Sequence, residues 1–237
     1  MKRHINLHFD RFSLPDLCSG NNLLGIELGV ASGDFSLHMV RSGRFSCFFG
    51  VDKYSDHHNT NEYRNTLELI GVFEHYKLLR MTFEEALPLF PDETFDFVYV
   101  DGYAHTGEEG GKTIASWLSK VKIGGVLAGH DYHPDWPLVV TAVHELCERT
   151  GFELMVTQKT ESGGRLDKYP SWAIVKTCKV NVELPSYLSR AAEESWLGST
   201  GTDPYSLPLF PNRVKEAINL LLGRRASLFM RSLSRKN

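Results

Sequence analysis

Acidic residues end or follow several apolar segments of this chain, at positions where a hydrophobic core has no use for them. Glu27, Asp52 and Asp101 each close or directly follow an apolar run, and Asp131 follows the run at 124–128. One such acid can be a helix cap or a turn residue. If the runs are parallel strands, however, their carboxyl ends meet at one edge of a sheet, where ligands of open α/β sheets bind. Four acids there predict a functional site.

The loop at 27–33, with the sequence ELGVASG, indicates what this edge binds. It departs from the dinucleotide pattern G-x-G-x-x-G because Glu27 and Ala31 stand where that pattern needs glycine. A glutamate in this loop would repel a pyrophosphate and attract a cation. Asp52, 25 residues further on, can accept hydrogen bonds from both hydroxyls of a ribose. The two acids predict a nucleoside with a cationic group and no pyrophosphate, which describes S-adenosylmethionine.

Short apolar runs alternate with segments of helical spacing, and this alternation predicts the elements that position the acids. Strands that are apolar throughout are typical of a parallel sheet covered on both faces. The last two strands have no helix between them and should pair antiparallel. We therefore expect an α/β fold, a Rossmann-like seven-stranded, mostly parallel sheet with helices on both faces and an antiparallel edge hairpin. The predicted strands are 23–28, 45–51, 76–81, 95–100, 124–128, 152–156 and 172–176, and the predicted helices between them are 34–41, 61–70, 82–89, 113–121 and 137–149.

Residues 25–176, about two-thirds of the chain, resemble the class I S-adenosylmethionine-dependent methyltransferases. The E-x-G-x-x-x-G loop, Asp52 and the Asp101-Gly102 pair carry this resemblance. Within the superfamily, the stretches VDGYAHTGEEGGKT at 100–113 and GGVLAGHDYH at 124–133 resemble a small bacterial family. That family is related to sugar O-methyltransferases that tailor macrolides and aminocoumarins.

The resemblance implies a set of donor-binding residues. Glu27, Gly29 and Gly33 would line the methionine end of S-adenosylmethionine, and Asp52 would bind the ribose. Met81 and Thr82 would border the adenine. Phe83 is either a further stacking partner of the adenine or a core residue of the short helix at 82–89.

Transfer of a methyl group to a hydroxyl requires removal of a proton, by a histidine base or with the help of a divalent cation. In metal-dependent relatives, an aspartate ends the fourth strand and two acid or amide residues end the fifth. Asp101 matches the first position, and His130 and Asp131 occupy the pair, with histidine where the family usually has aspartate. His105 is four residues after Asp101, where the family usually places its histidine three residues on.

These positions give two overlapping sets of candidates. The catalytic candidates are His105, His130 and Asp101, and the metal candidates are Asp101, His130 and Asp131. Two carboxylates suit Mg²⁺, whereas a histidine in the set favours Mn²⁺, Fe²⁺ or Zn²⁺, or a site that binds no metal. A structural role for either histidine stays open. Aromatic residues of the same loops could form the floor of a sugar or ring site, or pack the loops onto the sheet; they are Tyr54, Tyr103, Tyr132 and Trp136.

The composition is that of a globular protein: of 237 residues, 42% are hydrophobic and 23% charged. No stretch approaches the roughly 20 apolar residues of a membrane span, the N-terminus lacks the apolar region of a signal peptide, and the four cysteines are widely spaced. We therefore expect a cytoplasmic protein. Its predicted division is an N-terminal cap segment (1–22), a methyltransferase domain (23–179), and an extended arm followed by a basic amphipathic helix (180–237).

Charge is unevenly distributed, and this bears on partners. The net charge is −3, yet residues 212–237 contain seven basic residues and one acid. The rest of the chain is too acidic for a general nucleic-acid binder, so we expect a small-molecule acceptor and no nucleic acid. Apolar residues at helical spacing in 214–233 could pack on the chain's own domain, form a homo-oligomer or lie on an anionic membrane surface.

Two other functions fit parts of the sequence. The same sheet architecture and a carboxylate such as Asp52 serve NAD-dependent oxidoreductases, although the loop at 27–33 lacks their glycine pattern. A non-catalytic nucleoside-binding protein could act in assembly through its arm and basic tail. For a methyltransferase, O-methylation of a sugar or a phenol is the expected reaction.

Overall fold

The protein is built around one twisted sheet. The structure is a computed structural model that describes residues 4–55, 59–158 and 169–199, with side chains as far as 195. Within these ranges eight strands pair in the order β1-β7-β8-β6-β5-β2-β3-β4. The strands are β1 Ile5–Leu7, β2 Leu23–Leu28, β3 Phe45–Asp52, β4 Tyr76–Arg80, β5 Phe95–Val100, β6 Val121–Gly129, β7 Met155–Thr157 and β8 Trp172–Val175.

The expected mostly parallel sheet with an antiparallel hairpin is confirmed. β8 pairs antiparallel with both β6 and β7, and the other neighbouring strands pair parallel. The seven expected strands are joined by an eighth, β1, which pairs parallel with β7 outside the hairpin. β1 has only three residues, of which Leu7 alone is buried, and so short a strand leaves no periodic pattern in the sequence.

Helices cover both faces of the sheet. Two successive positions of β5 show the division, because Val98 lies in one hydrophobic cluster with Trp117 and Val139, whereas Tyr99 lies in the other with Phe35. The helices are α1 Asp34–Arg41, α2 Thr60–Ile70, α3 Phe83–Ala86, α4 Gly107–Gly110, α5 Lys112–Leu118, α6 Pro137–Thr150 and α7 Ser186–Ser199, with 3-10 helices at Arg11–Leu17, Leu87–Leu89 and Ala104–Thr106.

Helix α7 differs from the expectation of an extended arm. That expectation, drawn from the prolines between 184 and 211, is wrong for Ser186–Ser199. Pro185 precedes the helix, where proline is well tolerated, and Leu188 and Ala192, on one helical face, are buried. The Ser195 hydroxyl donates to the backbone carbonyl of His105 (2.8 Å), so α7 packs on the loop that follows β5. The division of the chain at residue 179 stays a prediction.

The predicted amphipathic helix at 214–233 lies outside the described residues, and its three proposed partners stay predictions. Among the residues that the structure describes, no helix is both long and apolar enough to cross a membrane. The four cysteines are free thiols; Cys18 and Cys147 are buried and Cys178 is exposed.

Candidate functional site

The sheet brings the predicted acids to one edge. β6, β5, β2 and β3 are neighbours in that order, and the ends of these strands carry His130 with Asp131, Asp101, Glu27 and Asp52. The four parallel carboxyl ends therefore form one continuous edge, as the sequence predicted.

The loop after β2 has a backbone that suits glycine. Gly29, Ala31 and Gly33 all have positive φ, of 97°, 46° and 86°. A Cβ at Gly29 would overlap the backbone carbonyl of Asp101 in the next loop. Gly29 is thus required where the β2 and β5 loops touch.

Asp52 holds this loop in place. Its Oδ2 accepts hydrogen bonds from the backbone N–H groups of Val30 and Ala31, both at 3.0 Å, and its Oδ1 accepts from the N–H of Tyr54 (3.0 Å). The Tyr54 hydroxyl donates to the carbonyl of Ala31 (2.9 Å). A carboxylate has about four acceptor positions, so Asp52 organises the loop and keeps room for one further donor.

Glu27 is buried, with 1% of its surface exposed. Its carboxyl accepts a hydrogen bond from Ser36, and the hydroxyl of Tyr76 in turn donates to Ser36 (3.1 Å). Burial raises the pKa of Glu27 well above the ordinary value, and the nearby charge of Asp101 adds to the rise, while the hydrogen bond from Ser36 opposes it. A cation beside Glu27 would favour its ionised form.

Met81 and Thr82, which the resemblance implies as the border of the adenine, directly follow β4. Met81 is partly buried against the core. The Thr82 hydroxyl accepts from the N–H of Glu85 (3.2 Å), and the Glu85 carboxylate accepts from the N–H of Thr82 (2.8 Å), forming a capping box at the start of α3. Phe83 is a core residue, and its ring packs against Gly102 and Tyr103.

Asp101, His130 and Asp131 form a tight cluster. The His130 Nδ1 lies 3.6 Å from Asp101 Oδ1 and 3.2 Å from Asp131 Oδ1. Burial alone would lower the pKa of His130, but the carboxylates of Asp101 and Asp131 outweigh it, and the pKa is raised. The Nε2 atom of His130 is buried with no hydrogen-bond partner among the described residues.

The cluster fits a divalent cation. One oxygen or nitrogen atom from each of the three side chains lies within 4.8 Å of the other two. Metal bonds of about 2.0–2.2 Å place ligand atoms up to about 4.4 Å apart, so small side-chain rotations would suffice. The nitrogen of His130 that faces both carboxylates is Nδ1, so the donor set is two carboxylate oxygens and one imidazole nitrogen, a combination that divalent first-row metals accept.

His105 lies in the 3-10 helix Ala104–Thr106, in the loop that follows Asp101. The residue as a whole is partly buried, its ring Nε2 is buried, and its backbone carbonyl accepts a hydrogen bond from the hydroxyl of Ser195 in α7. It therefore lies on the same loop as Asp101, and its catalytic role stays a prediction.

The four aromatic residues of these loops divide into two groups. Tyr54 and Tyr132 are buried, with 1% and 4% of their surface exposed, and act in packing. Tyr103 and Trp136 are partly exposed, and Trp136 lies edge-on to Tyr169 with ring centroids 6.1 Å apart. The partly exposed pair could contact an acceptor.

Arg11, which sequence reasoning missed, belongs to the site. Its Nη1 lies 3.4 Å from Asp101 Oδ2, and its guanidinium lies over the rings of Phe12 and Phe35, 5.1 and 5.7 Å from their centroids. The side chain is buried and supplies a positive charge among acids. It comes from the 3-10 helix of the N-terminal segment, 90 residues from Asp101, and no local pattern marks such a contact.

Glu108 was also missed. It is 1% exposed, and its Oε2 is buried with no hydrogen-bond partner among the described residues. Burial raises the pKa of Glu108 well above the ordinary value, and the charges of Asp131 and Asp101 add to the rise. Its signal in the sequence is an acid within the glycine-rich stretch GEEGG at 107–111, directly after the predicted site residues.

Comparison with known proteins agrees with this geometry. Residues 26–132 match a family described as a methyltransferase domain. No curated protein sequence matches the chain. The match covers the loop after β2, Asp52 and the Asp101–His130–Asp131 cluster, and it favours a methyltransferase over an NAD-dependent oxidoreductase.

Solved structures resemble the fold at low sequence identity. An rRNA methylase from Streptococcus thermophilus is 17% identical with a TM-score of 0.52, over 70% of this chain and 92% of that one. A cofactor-bound protein from MTB is 13% identical with a TM-score of 0.53, over 73% and 83%. An O-methyltransferase from Bacillus cereus, in complex with SAH, is 15% identical with a TM-score of 0.50, over 65% and 74%. At these identities the likeness is one of fold.

Proposed function

We propose that this chain, whose residues 26–132 match a family described as a methyltransferase domain, is a class I, S-adenosylmethionine-dependent methyltransferase. We further propose that it methylates a hydroxyl oxygen of a small acceptor such as a sugar or a phenol. The observation that carries the proposal is the Asp101–His130–Asp131 cluster, which lies against the loop after β2. Such a cluster suits the activation of a hydroxyl beside the donor.

The donor is S-adenosylmethionine, and we assign its binding to the β2, β3 and β4 ends. Gly29 and Gly33 shape the loop around the methionine end, and the carboxylate of Glu27 faces the positive charge of that end. The remaining acceptor position of Asp52 takes a ribose hydroxyl. Met81 borders the adenine with its thioether and Thr82 with its backbone. The Thr82 hydroxyl does not take part, because it is already hydrogen-bonded in the capping box with Glu85.

Methyl transfer is an in-line displacement. The acceptor oxygen forms a bond to the methyl carbon while the carbon–sulfur bond breaks, and the electron pair stays on sulfur. The donor becomes S-adenosylhomocysteine, and the positive charge of the sulfonium is lost. Alignment of the two reactants supplies much of the acceleration in such a reaction.

The hydroxyl proton needs an acceptor, and we assign this role to His105. Asp101, His130 and Asp131 would hold a divalent cation such as Mg²⁺ or Mn²⁺, which lowers the pKa of a bound hydroxyl. The guanidinium of Arg11 lies 3.4 Å from Oδ2 of Asp101. This ion pair fixes Oδ2, while Oδ1 of Asp101 faces His130.

Asp101→Asn tests this assignment. The variant should bind S-adenosylhomocysteine within about threefold of the wild type in calorimetry, and should lose at least about 100-fold in turnover with a panel of sugars and phenols. Asp92→Asn is the control, because Asp92 is an exposed acid paired with Lys120 far from the site. An equal loss in donor affinity and turnover would move Asp101 to the donor side.

Donor binding itself has a direct test. The wild-type chain should bind S-adenosylmethionine and S-adenosylhomocysteine, and should not bind NADH. Binding of NADH alone would refute the proposal, and donor binding without methylation of any hydroxylated acceptor would refute the O-methylation.

A further inference from the structure

We propose that Arg11 is a built-in counter-cation of the Asp101–His130–Asp131 cluster, which stabilises the cluster when no ion is bound and weakens the binding of a divalent cation. This inference rests on the cation site of the proposed function. It goes beyond the ion pair between Arg11 and Asp101, because it states what that pair does to the affinity for an ion.

The position of Arg11 is the first observation. Its Nη1 lies 3.4 Å from Oδ2 of Asp101, and only 7% of its side chain is exposed. Oδ1 of the same carboxylate lies 3.6 Å from Nδ1 of His130. Asp101 therefore faces the guanidinium with one oxygen and the cluster with the other. A cation bound to Oδ1 would lie close to a buried positive charge, and the two charges would repel each other.

Aromatic rings hold the guanidinium of Arg11 in place. It lies over the rings of Phe12 and Phe35, 5.1 and 5.7 Å from their centroids. Phe35 in turn stacks on Tyr99, with ring centroids 4.0 Å apart, and Tyr99 is two residues before Asp101 in the chain. A guanidinium packed in this way has little freedom to turn away when a cation arrives. The two positive charges must then share the carboxylate of Asp101.

The backbone of Asp101 is anchored independently of Arg11. Its N–H donates to the carbonyl of Leu28 (2.7 Å), and its own carbonyl lies against Gly29. Removal of Arg11 should therefore leave the carboxylate of Asp101 at the end of β5, with its charge no longer shared. A carboxylate freed in this way attracts a cation more strongly.

The charges of the cluster agree with this role. A histidine that binds a metal is neutral, so Asp101 and Asp131 contribute two negative charges to the site and Arg11 contributes one positive charge. The ligand atoms of the three cluster residues lie within 4.8 Å of one another, and the side chain of Asp131 is only 15% exposed. Two carboxylates this close repel each other when no ion is bound. Arg11 offsets part of that repulsion.

Arg11→Met tests the inference, because methionine keeps a long unbranched side chain and lacks the charge. Mn²⁺ binding is measured by the loss of the electron paramagnetic resonance signal of free Mn²⁺ on titration with the full chain. Arg11→Met should bind Mn²⁺ about 10–100-fold more tightly than the wild type. Arg11→Lys keeps the charge and should stay within about threefold of the wild type.

Thermal unfolding measures the other half of the inference. In the presence of EDTA, the unfolding midpoint of Arg11→Met should lie at least about 3 °C below that of the wild type, because one partner of a largely buried ion pair has been removed. Mn²⁺ should raise the midpoint more in the variant than in the wild type, since the variant binds the ion more tightly.

Arg44 provides a matched control. Its Nη1 lies 2.9 Å from Oδ1 of Asp16 in the N-terminal segment, and it directly precedes β3, at the sheet edge opposite the cluster. Arg44→Met removes the same charge from the chain and should bind Mn²⁺ within about twofold of the wild type. Tightening equal to that of Arg11→Met would show a general effect of net charge and overturn the inference.

Two other results of the titration would overturn the inference. Binding of Mn²⁺ by Arg11→Met that is equal to or weaker than that of the wild type would show that Arg11 does not oppose the ion, and would leave the cation site standing. No binding by any variant or by the wild type would remove the cation site as well. Binding of S-adenosylhomocysteine, which should stay within about threefold of the wild type in calorimetry, would still support the methyltransferase assignment.

If Arg11→Met does not fold in EDTA, addition of Mn²⁺ decides. An ion that supplies the missing positive charge should restore the folded state at saturating Mn²⁺, as followed by circular dichroism. No recovery would mean that Arg11 serves the fold alone, and it would overturn the inference.

Discussion

Asp52 is expected to stabilise the fold as well as bind the donor, and Asp52→Asn separates the two roles. The substitution keeps the shape of the side chain but removes its charge and turns one oxygen into an N–H₂ group. In the best orientation, the amide oxygen still accepts from Val30 and Ala31, and the amide nitrogen faces the N–H of Tyr54.

The hydrogen bonds set the magnitude. A bond to a charged group contributes about 1.5–3 kcal/mol and a bond between neutral groups about 0.5–1.5 kcal/mol. Two bonds that lose their charge should therefore cost about 1 kcal/mol each, and the unmet N–H of Tyr54 costs at least about 1 kcal/mol more. We expect Asp52→Asn to lower the free energy of unfolding by about 3 kcal/mol.

Two measurements on the same variant test this. Urea unfolding followed by circular dichroism gives the stability, and calorimetry gives the affinity for S-adenosylhomocysteine, which should fall at least tenfold because the loop loses its anchor and the ribose its acceptor. Asp16→Asn is the control, since Asp16 is 63% exposed and pairs with Arg44 on the surface. It should change neither quantity measurably.

A change in only one of the two measured quantities, the stability or the affinity for S-adenosylhomocysteine, would refute the double role of Asp52. If Asp52→Asn loses affinity but unfolds like the wild type, the three backbone bonds contribute nothing to the fold. If stability falls and affinity is unchanged, Asp52 organises the loop without meeting the ribose.

Two further predictions concern the β2 loop. Burial raises the pKa of Glu27 well above its ordinary value, so binding of a cationic donor should expel a proton, and the affinity for S-adenosylmethionine should rise with pH and level off above the raised pKa. Calorimetry in two buffers of different ionisation enthalpy should detect the released proton in the wild type and not in Glu27→Gln. Equal binding enthalpies of the wild type in the two buffers would contradict proton release from Glu27. Gly29→Ala should lower the free energy of unfolding by about 2–4 kcal/mol, because the methyl group meets the Asp101 carbonyl at a positive φ. Gly20→Ala, with a positive φ and open space around it, should cost about 1 kcal/mol, and an equal loss in both variants would contradict the contact with Asp101.

The elements that could be predicted from the sequence are those whose signal is local. The apolar run Leu23–Leu28 and the helix Asp34–Arg41 have the predicted bounds, because a buried strand and an amphipathic helix each require a regular pattern. The common edge of Glu27, Asp52, Asp101 and Asp131 followed from topology, since parallel strands place their carboxyl ends together.

The parts that were missed depend on contacts distant in sequence. Arg11 reaches Asp101 across 90 residues, and Glu108 is buried because α6 and α7 enclose its turn. Pro185 was interpreted as a sign of an extended chain, but it is the residue that directly precedes helix α7. A local pattern contains none of these neighbours, so only the folded chain reveals them.

The pairing of β1 has a consequence for how the protein folds during synthesis. Ile5 aligns with Met155 and Leu7 with Thr157, so β1, which is made before the other strands of the described sheet, has no strand partner in that sheet until β7 has been made. Pairings so distant in sequence form slowly, because a long loop must close first. Strand β1 is therefore expected to dock late, on a sheet whose central strands are already in place.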